Sequence, residues 1–191
     1  MRLCPAGRWA WLTALFIGGA LAQPLPERLA QCAACHGAAG VSAIPGTPSL
    51  AAQPSLFIEN QLVLIREGVR EAAPPMAETL KGIKDAEIRK LASYFAALRP
   101  PPPAGNADAA MAQRAREVAQ KAHCASCHLP DYSGREQMPR LAGQREDYLL
   151  EAMRAYRDYR RTGGDTLMAA ALYGIADADL QALANYLANL P

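Results

Sequence analysis

Apolar residues recur along this chain at the 3.6-residue spacing of a helix. Leu56, Phe57, Ile58, Leu62 and Ile65 share one face, and Gly68 ends the run. Ile88, Leu91, Ala92, Phe95 and Leu98 mark a second helix, which Pro100 to Pro103 stops. Met111, Ala115, Val118, Ala119 and Ala122 mark a third; Tyr148, Leu149, Ala152, Met153 and Tyr156 a fourth. Leu180, Leu183, Ala184, Leu187 and Leu190 mark the last, and Leu25 and Leu29 line a short helix from Pro24 to Cys32. Pro54 suits a first helical turn, and Asp85, Asp108 and Asp177 stand where N-caps are expected. Residues 37–54 and 129–143 read as loops, as does the stretch around Pro74-Pro75-Met76, and Thr162-Gly163-Gly164-Asp165 breaks the fourth helix. The pattern is all-α.

The order of elements occurs twice. Cys32 and Cys124, His36 and His128, Asp85 and Asp177, Tyr94 and Tyr186, and Leu98 and Leu190 are all 92 residues apart. Pro48-Ser49-Leu50-Ala51-Ala52-Gln53 matches Pro139-Arg140-Leu141-Ala142-Gly143-Gln144 at a separation of 91, so a one-residue indel lies between. Such self-similarity marks a duplicated unit. The expected division is a leader over 1–22, one domain over 23–99, a proline-rich linker over 100–107 and a second domain over 108–191.

Each unit carries the same short motif. Cys32-Ala33-Ala34-Cys35-His36 and Cys124-Ala125-Ser126-Cys127-His128 both read C-x-x-C-H, the attachment signature of a c-type haem. Cysteines three apart lie on one face of a helical turn, with the histidine beside them. The thiols of Cys32 and Cys35, and of Cys124 and Cys127, are then placed to add to the two vinyl groups of one haem. The imidazoles of His36 and His128 are placed to bind the iron. Zinc would need a fourth ligand at each site or a shared cluster. A thioredoxin-like pair would need a βαβ surround, and no strand pattern flanks either motif.

Composition agrees with a cofactor-built core. Aromatic residues make up only 6% of 191 residues, and two covalent haem c groups would supply the missing apolar bulk. A net charge of +2 excludes the strongly basic surface of a nucleic-acid binder. Residues 1–22 read as a secretory signal: Arg2 and Arg8, then an apolar run of 13 residues from Trp9 to Leu21, then Ala20-Leu21-Ala22 as cleavage site. That run is short for a membrane span, which leaves an uncleaved anchor as the lesser reading. Cleavage after Ala22 discards Cys4, both tryptophans and two arginines, leaving 18 basic and 18 acidic side chains and a periplasmic chain starting at Gln23. The mature protein then has no cysteine outside its two motifs, as suits an oxidising compartment.

A haem held by histidine alone can bind small molecules, whereas a second protein ligand closes that face for electron transfer. Met76 follows His36 by 40 residues and Met168 follows His128 by 40, so the repeat pairs them as distal ligands. A thioether suits iron and raises the reduction potential. Met111 and Met153 sit at apolar helical positions and read as core filler. Met138 aligns with Thr47, which is no ligand, and is also read as filler. His123 reads as an ordinary histidine, and Arg154, Arg157, Arg160 and Arg161, interleaved with Glu151 and Asp158, as a solvated face.

Both C-x-x-C-H motifs, Pro48-x-Leu-Ala-x-Gln53, Pro139-x-Leu-Ala-x-Gln144, the Gly164-Asp165-Thr166-Leu167-Met168 stretch and the terminal helix of each unit resemble the di-haem class I cytochromes of the cytochrome c4 family. The resemblance spans residues from about 27 to 190. It implies two tandem class I cytochrome c domains related by a pseudo-twofold axis, each wrapped around a covalent haem with His/Met ligation. It also implies that the carbonyls of Pro48 and Pro139 accept the Nδ1–H of the proximal histidines. One sequence difference stands inside the likeness: Pro75 precedes the first methionine but Leu167 the second.

The expected function is a periplasmic single-electron carrier between respiratory redox partners, such as a membrane cytochrome complex and a terminal oxidase or reductase. The alternative is an electron-transfer subunit held by a periplasmic dehydrogenase. An enzyme such as a di-haem peroxidase is disfavoured, since both haems have a distal methionine. No nucleic acid is expected, and membrane contact only through partners.

Overall fold

The computed structural model describes residues 25–164 and 166–191. The expected leader, its cleavage site, Gln23 and Asp165 lie outside them. Among the described residues there are nine helices and no extended strand, only an isolated bridge between Arg135 and Met138.

In the first half, α1 (Leu25–His36) and α2 (Ser55–Arg66) both pack on α4 (Asp85–Ala96), with the short α3 (Pro74–Thr79) between. Ile65, Leu80, Ile83, Ile88 and Leu91 form one buried cluster and Ile58, Ala92 and Phe95 another, both touching α1 through Leu29 and Cys32. In the second half, α5 (Ala109–Lys121) and α7 (Glu146–Arg157) pack on α9 (Asp177–Ala188), and α8 (Thr166–Leu172) packs on α7. Ala115, Ala119, Leu149, Met153, Leu172, Leu180, Leu183 and Leu187 are its core. The apolar faces read from the sequence are the faces buried here except at Leu56, which is 46% exposed; each fully buried leucine contributes about 1.5–3 kcal/mol.

Four local expectations change. Met76 lies on the short helix α3 rather than in a loop, and Met168 lies on the short helix α8. Pro74 and Pro75 start α3, because proline's fixed φ and missing N–H suit a first helical turn. Pro54 is the residue before α2, not its first turn. Asp85 and Asp177 are the first residues of α4 and α9, not their caps. Glu87 Oε2 instead accepts the N–H of Lys84 at 3.2 Å, while Asp85 pairs with Arg66 at 2.6 Å. Asp108 is a cap as expected, its Oδ1 accepting the Met111 N–H at 2.8 Å.

The halves differ at their motifs. The first C-x-x-C-H ends the continuous helix α1. The second forms a separate turn, α6 (Cys124–His128), because His123 takes a left-handed conformation with φ 53°. Left-handed backbone costs an L-residue roughly 1–2 kcal/mol.

Pro100–Pro103 runs without regular secondary structure along the second half. Pro101 is buried, and the Ala104 N–H bonds the Ala188 carbonyl at 2.9 Å.

Candidate haem sites

A helical turn sets Cys32, Cys35 and His36 side by side, and α6 does the same for Cys124, Cys127 and His128. All four thiols are free, one of each pair exposed and the other half-buried. Burial raises the Cys32 and Cys124 thiols above their ordinary pKa. The imidazoles of His36 and His128 are 8% and 6% exposed. Burial lowers both their pKa values, against the opposing pull of the proline carbonyls.

Those carbonyls fix the tautomer. His36 Nδ1 stands 2.8 Å from the Pro48 oxygen and His128 Nδ1 2.9 Å from the Pro139 oxygen. A carbonyl only accepts, so the proton is on Nδ1 and each Nε2 lone pair is left for a metal. Gly134 makes room for the second of these. A Cβ there would lie 2.4 Å from the Pro139 carbonyl carbon and 2.5 Å from the Arg140 nitrogen, and its φ of +73° is left-handed.

Met76 is half-buried and packs against the same core cluster as Cys32; Met168 is half-buried and packs against the same cluster as Cys124. Each methionine thus shares a core with its own motif. Met153 is buried in the second core, and Met111 packs against it. Met138 is half-buried, and its main chain pairs with Arg135. His123 is exposed.

The donor set fits covalent haem. Each half offers paired thiols on one turn, a buried neutral imidazole with Nε2 bare, and a thioether on the same core. Among the described residues no three His, Cys, Asp or Glu side chains converge as an ion site, so neither motif builds the four-ligand shell of structural zinc.

The halves meet through the loops that hold the histidines. Gln144 Oε1 accepts the Ser49 N–H at 2.8 Å, and its Nε2 donates to the Ser49 carbonyl at 2.9 Å. Gln53 does the same in return: its Oε1 accepts the Arg140 N–H at 3.0 Å and its Nε2 donates to the Arg140 carbonyl at 2.9 Å. Both glutamines are buried, at 5% and 4% exposure. Around them, Arg145 Nη1 donates to the Ser42 carbonyl at 3.1 Å and the Gly46 N–H to Asp147 at 3.0 Å. The Glu71 N–H donates to Thr162 at 2.9 Å. The exchange of equivalent bonds is the pseudo-twofold relation in atomic form.

A cleft between the halves is lined by Gly46, Arg70, Tyr148, Arg161 and Thr162, among others. Burial chiefly lowers the Arg70 guanidinium from its ordinary pKa. Burial alone would raise the Tyr148 phenol, but the charges of Arg161 and Arg70 outweigh it and hold it below the usual range. Arg161 lies over the Tyr156 ring at 4.8 Å, so it does not belong to the solvated face read from the sequence. Arg154, Arg157 and Arg160 do, paired with Asp177, Asp158 and Glu151. Sequence reading gave Gln53 and Gln144 only as motif letters and passed over Arg70. The 91-residue spacing that relates Arg70 to Arg161 is the signal that would have found it.

Two family models match the chain, one per half: "Cytochrome C oxidase, cbb3-type, subunit III" over 27–95 and "Cytochrome c" over 112–191. A thiosulfate dehydrogenase electron acceptor of Thiomonas intermedia is 33% identical over 87% of this chain and 81% of its own. Cytochrome c4 of Azotobacter vinelandii is 28% identical over 85% of this chain and 86% of its own. The crystal structure of reduced recombinant cytochrome c4 from Pseudomonas stutzeri superposes with a TM-score of 0.76 at 27% identity, over 89% of this chain and all of that one.

Proposed function

The chain belongs to the di-haem class I c-type cytochromes that resemble cytochrome c4, and from that membership we propose that it is a periplasmic single-electron carrier between respiratory redox partners. The observation that carries the reading is the doubled donor set: in each half a buried imidazole rests on a proline carbonyl, and a thioether shares the motif's core. Cys32 and Cys35 would hold one haem and Cys124 and Cys127 the other. His36 with Met76, and His128 with Met168, would be the axial ligands. A haem held there would supply reversible one-electron exchange, and a thioether together with an imidazole as iron ligands would favour a raised potential.

The chain's own residues do the rest. Pro48 and Pro139 orient the imidazoles and increase their basicity by accepting the Nδ1–H. The two cores exclude water from the buried imidazoles and half-cover Cys32 and Cys124. With Met76 and Met168 taken as the distal ligands, the protein is read as a carrier and not an enzyme. The mature chain is taken as domains over 23–99 and 108–191, joined by the linker 100–107, after cleavage behind Ala22. Among the described residues no single helix is long and apolar enough to cross a membrane.

Mass spectrometry of the exported protein tests this directly. The expected result is a chain starting at Gln23 plus two covalently bound haems, with two one-electron waves in a redox titration. One haem, or haem extracted by acid-acetone, refutes it. A second reading, a cytochrome subunit of a periplasmic dehydrogenase complex, is favoured by one observation: a 33% identical relative is named for accepting electrons from thiosulfate dehydrogenase. Size-exclusion of the native protein separates the two, since a permanent subunit elutes with its dehydrogenase.

A further inference from the structure

The proline carbonyl that receives each histidine is one end of a peptide group, and the other end leaves the domain. The Pro48 C=O accepts from His36, and the N–H of that same peptide, carried by Ser49, donates to Gln144 of the other half. The Pro139 C=O accepts from His128, and the N–H of that peptide, carried by Arg140, donates to Gln53 of the first half. In an amide the two ends are joined by resonance. An acceptor oxygen placed on the N–H pushes electron density through the peptide onto the carbonyl oxygen, which becomes more negative and a better acceptor, and chains of such bonds strengthen one another.

We propose that Gln144 and Gln53 are positioning residues that act across the domain interface, each setting the electron-donating strength of the proximal histidine in the opposite domain. The chain of bonds runs His36 Nδ1–H to Pro48 C=O, through the Pro48–Ser49 peptide, to Gln144 Oε1. The second chain runs from His128 through the Pro139–Arg140 peptide to Gln53 Oε1. A better acceptor at the proline gives the imidazole more imidazolate character. The imidazole then donates more strongly, favours the ferric state and lowers the potential. Docking of the two domains thereby becomes part of each domain's redox setting.

The two relays are not equal. Gln144 Oε1 also accepts the Arg145 N–H at 2.9 Å, whereas the residue after Gln53 is Pro54, which has no N–H to offer. Gln53 therefore serves the Arg140 N–H undivided by its chain neighbour, and the stronger pull falls on His128. The relay through Gln53 should have the larger effect.

This inference rests on His36 and His128 being iron ligands. The test uses the full-length, haem-loaded protein and its variants Gln144→Leu, Gln53→Leu and Gln144→Glu. The readouts are the proton resonance of each histidine Nδ1–H in the reduced, diamagnetic state, assigned through contacts with Pro48 or Pro139, and the two reduction potentials. Gln144→Leu is expected to move the His36 resonance upfield and raise the potential of that haem, leaving His128 in place. Gln53→Leu should do the mirror, with the larger shift. Gln144→Glu loses the Nε2 donor to the Ser49 carbonyl but keeps an acceptor for the Ser49 N–H, and a charged and therefore stronger one, so the His36 resonance should move downfield and not upfield. Effects confined to the substituted glutamine's own domain, or no shift in either histidine, overturn the proposal. If Gln144→Leu moves both resonances, the domains have separated, and Gln144→Glu must return the His128 resonance to its wild-type position or the proposal fails. A wild-type spectrum in which neither N–H carries the ring-current displacement of a bound porphyrin would overturn the ligand assignment itself, before any variant is made.

Discussion

Replacing Gly134 with alanine should damage one proximal site and leave the other untouched. The new Cβ would stand 2.4 Å from the Pro139 carbonyl carbon and 2.5 Å from both the Arg140 nitrogen and the Met138 oxygen. Ordinary contact begins near 3.4 Å, so this stretch of backbone must retreat by about 1 Å. All three neighbours are main chain, so no flexible side-chain end can swing aside. The peptide that must move is the one holding His128 at 2.9 Å, and a displacement of that size takes the bond out of range. Its loss costs about 0.5–1.5 kcal/mol. The left-handed φ of +73° adds roughly 1–2 kcal/mol once a side chain is present. The second domain should therefore lose about 1.5–3.5 kcal/mol in urea unfolding, and the haem on His128 should shift in potential while the other does not. Gly46→Ala is the control: its φ is +74° but nothing lies within 4 Å, so it should show the backbone part alone. Equal losses in the two variants, or an unmoved second potential, would refute the claim that Gly134 guards the proline peptide.

Met76→Ala and Met168→Ala should each open one haem to exogenous carbon monoxide and lower its potential, and Met138→Ala should do neither; optical titration of the three decides. Acid should weaken the interface through Asp147, whose pKa is lowered mainly by its bond to Arg145 and further by the Gly46 N–H. A carboxylate with a depressed folded pKa gives its stabilisation above its unfolded value, about 3.9, and loses it as pH falls through the folded one. Domain separation followed by scattering should therefore begin below about pH 4 and be absent from Asp147→Asn. A Gly/Ser spacer after Pro103 should leave the domains docked, because the glutamine clamps, Arg145 and Asp147 bridge them without the linker. Scattering that shows free domains in the spacer protein would assign the arrangement to the prolines instead.

Much of this was legible before any coordinates. The faces of α2, α4, α7 and α9 follow from apolar spacing, because a helix that must bury one side writes that side into the sequence. The motif residues follow from chemistry, and the repeat pairs Met76 with Met168, each of which shares a core with its own motif. What escaped was whatever leaves no periodic trace. Helix α3 has only six residues, too few for a period, and its two prolines look like a loop although they begin a helix. The N-cap reading of Asp85 and Asp177 missed by one position, which residue type alone does not resolve. The left-handed turn at His123 is not signalled by any glycine. The interface escaped for a further reason: Gln53 and Gln144 bond to main chain, so no complementary side chain marks the other half of the contact.

That last feature bears on how the protein came to be. A contact in which each copy offers the same glutamine to the same peptide of its neighbour is isologous, the arrangement of a symmetric homodimer. Such a surface is self-complementary in a single-domain ancestor, and fusion through a few prolines would only have made the pairing permanent. Because the clamp grips N–H and C=O, it does not read the residue that bears them, and Ser49 in one half stands where Arg140 stands in the other. The grip could therefore persist while the halves drifted apart in sequence, leaving each free to specialise toward a different neighbour in the electron chain.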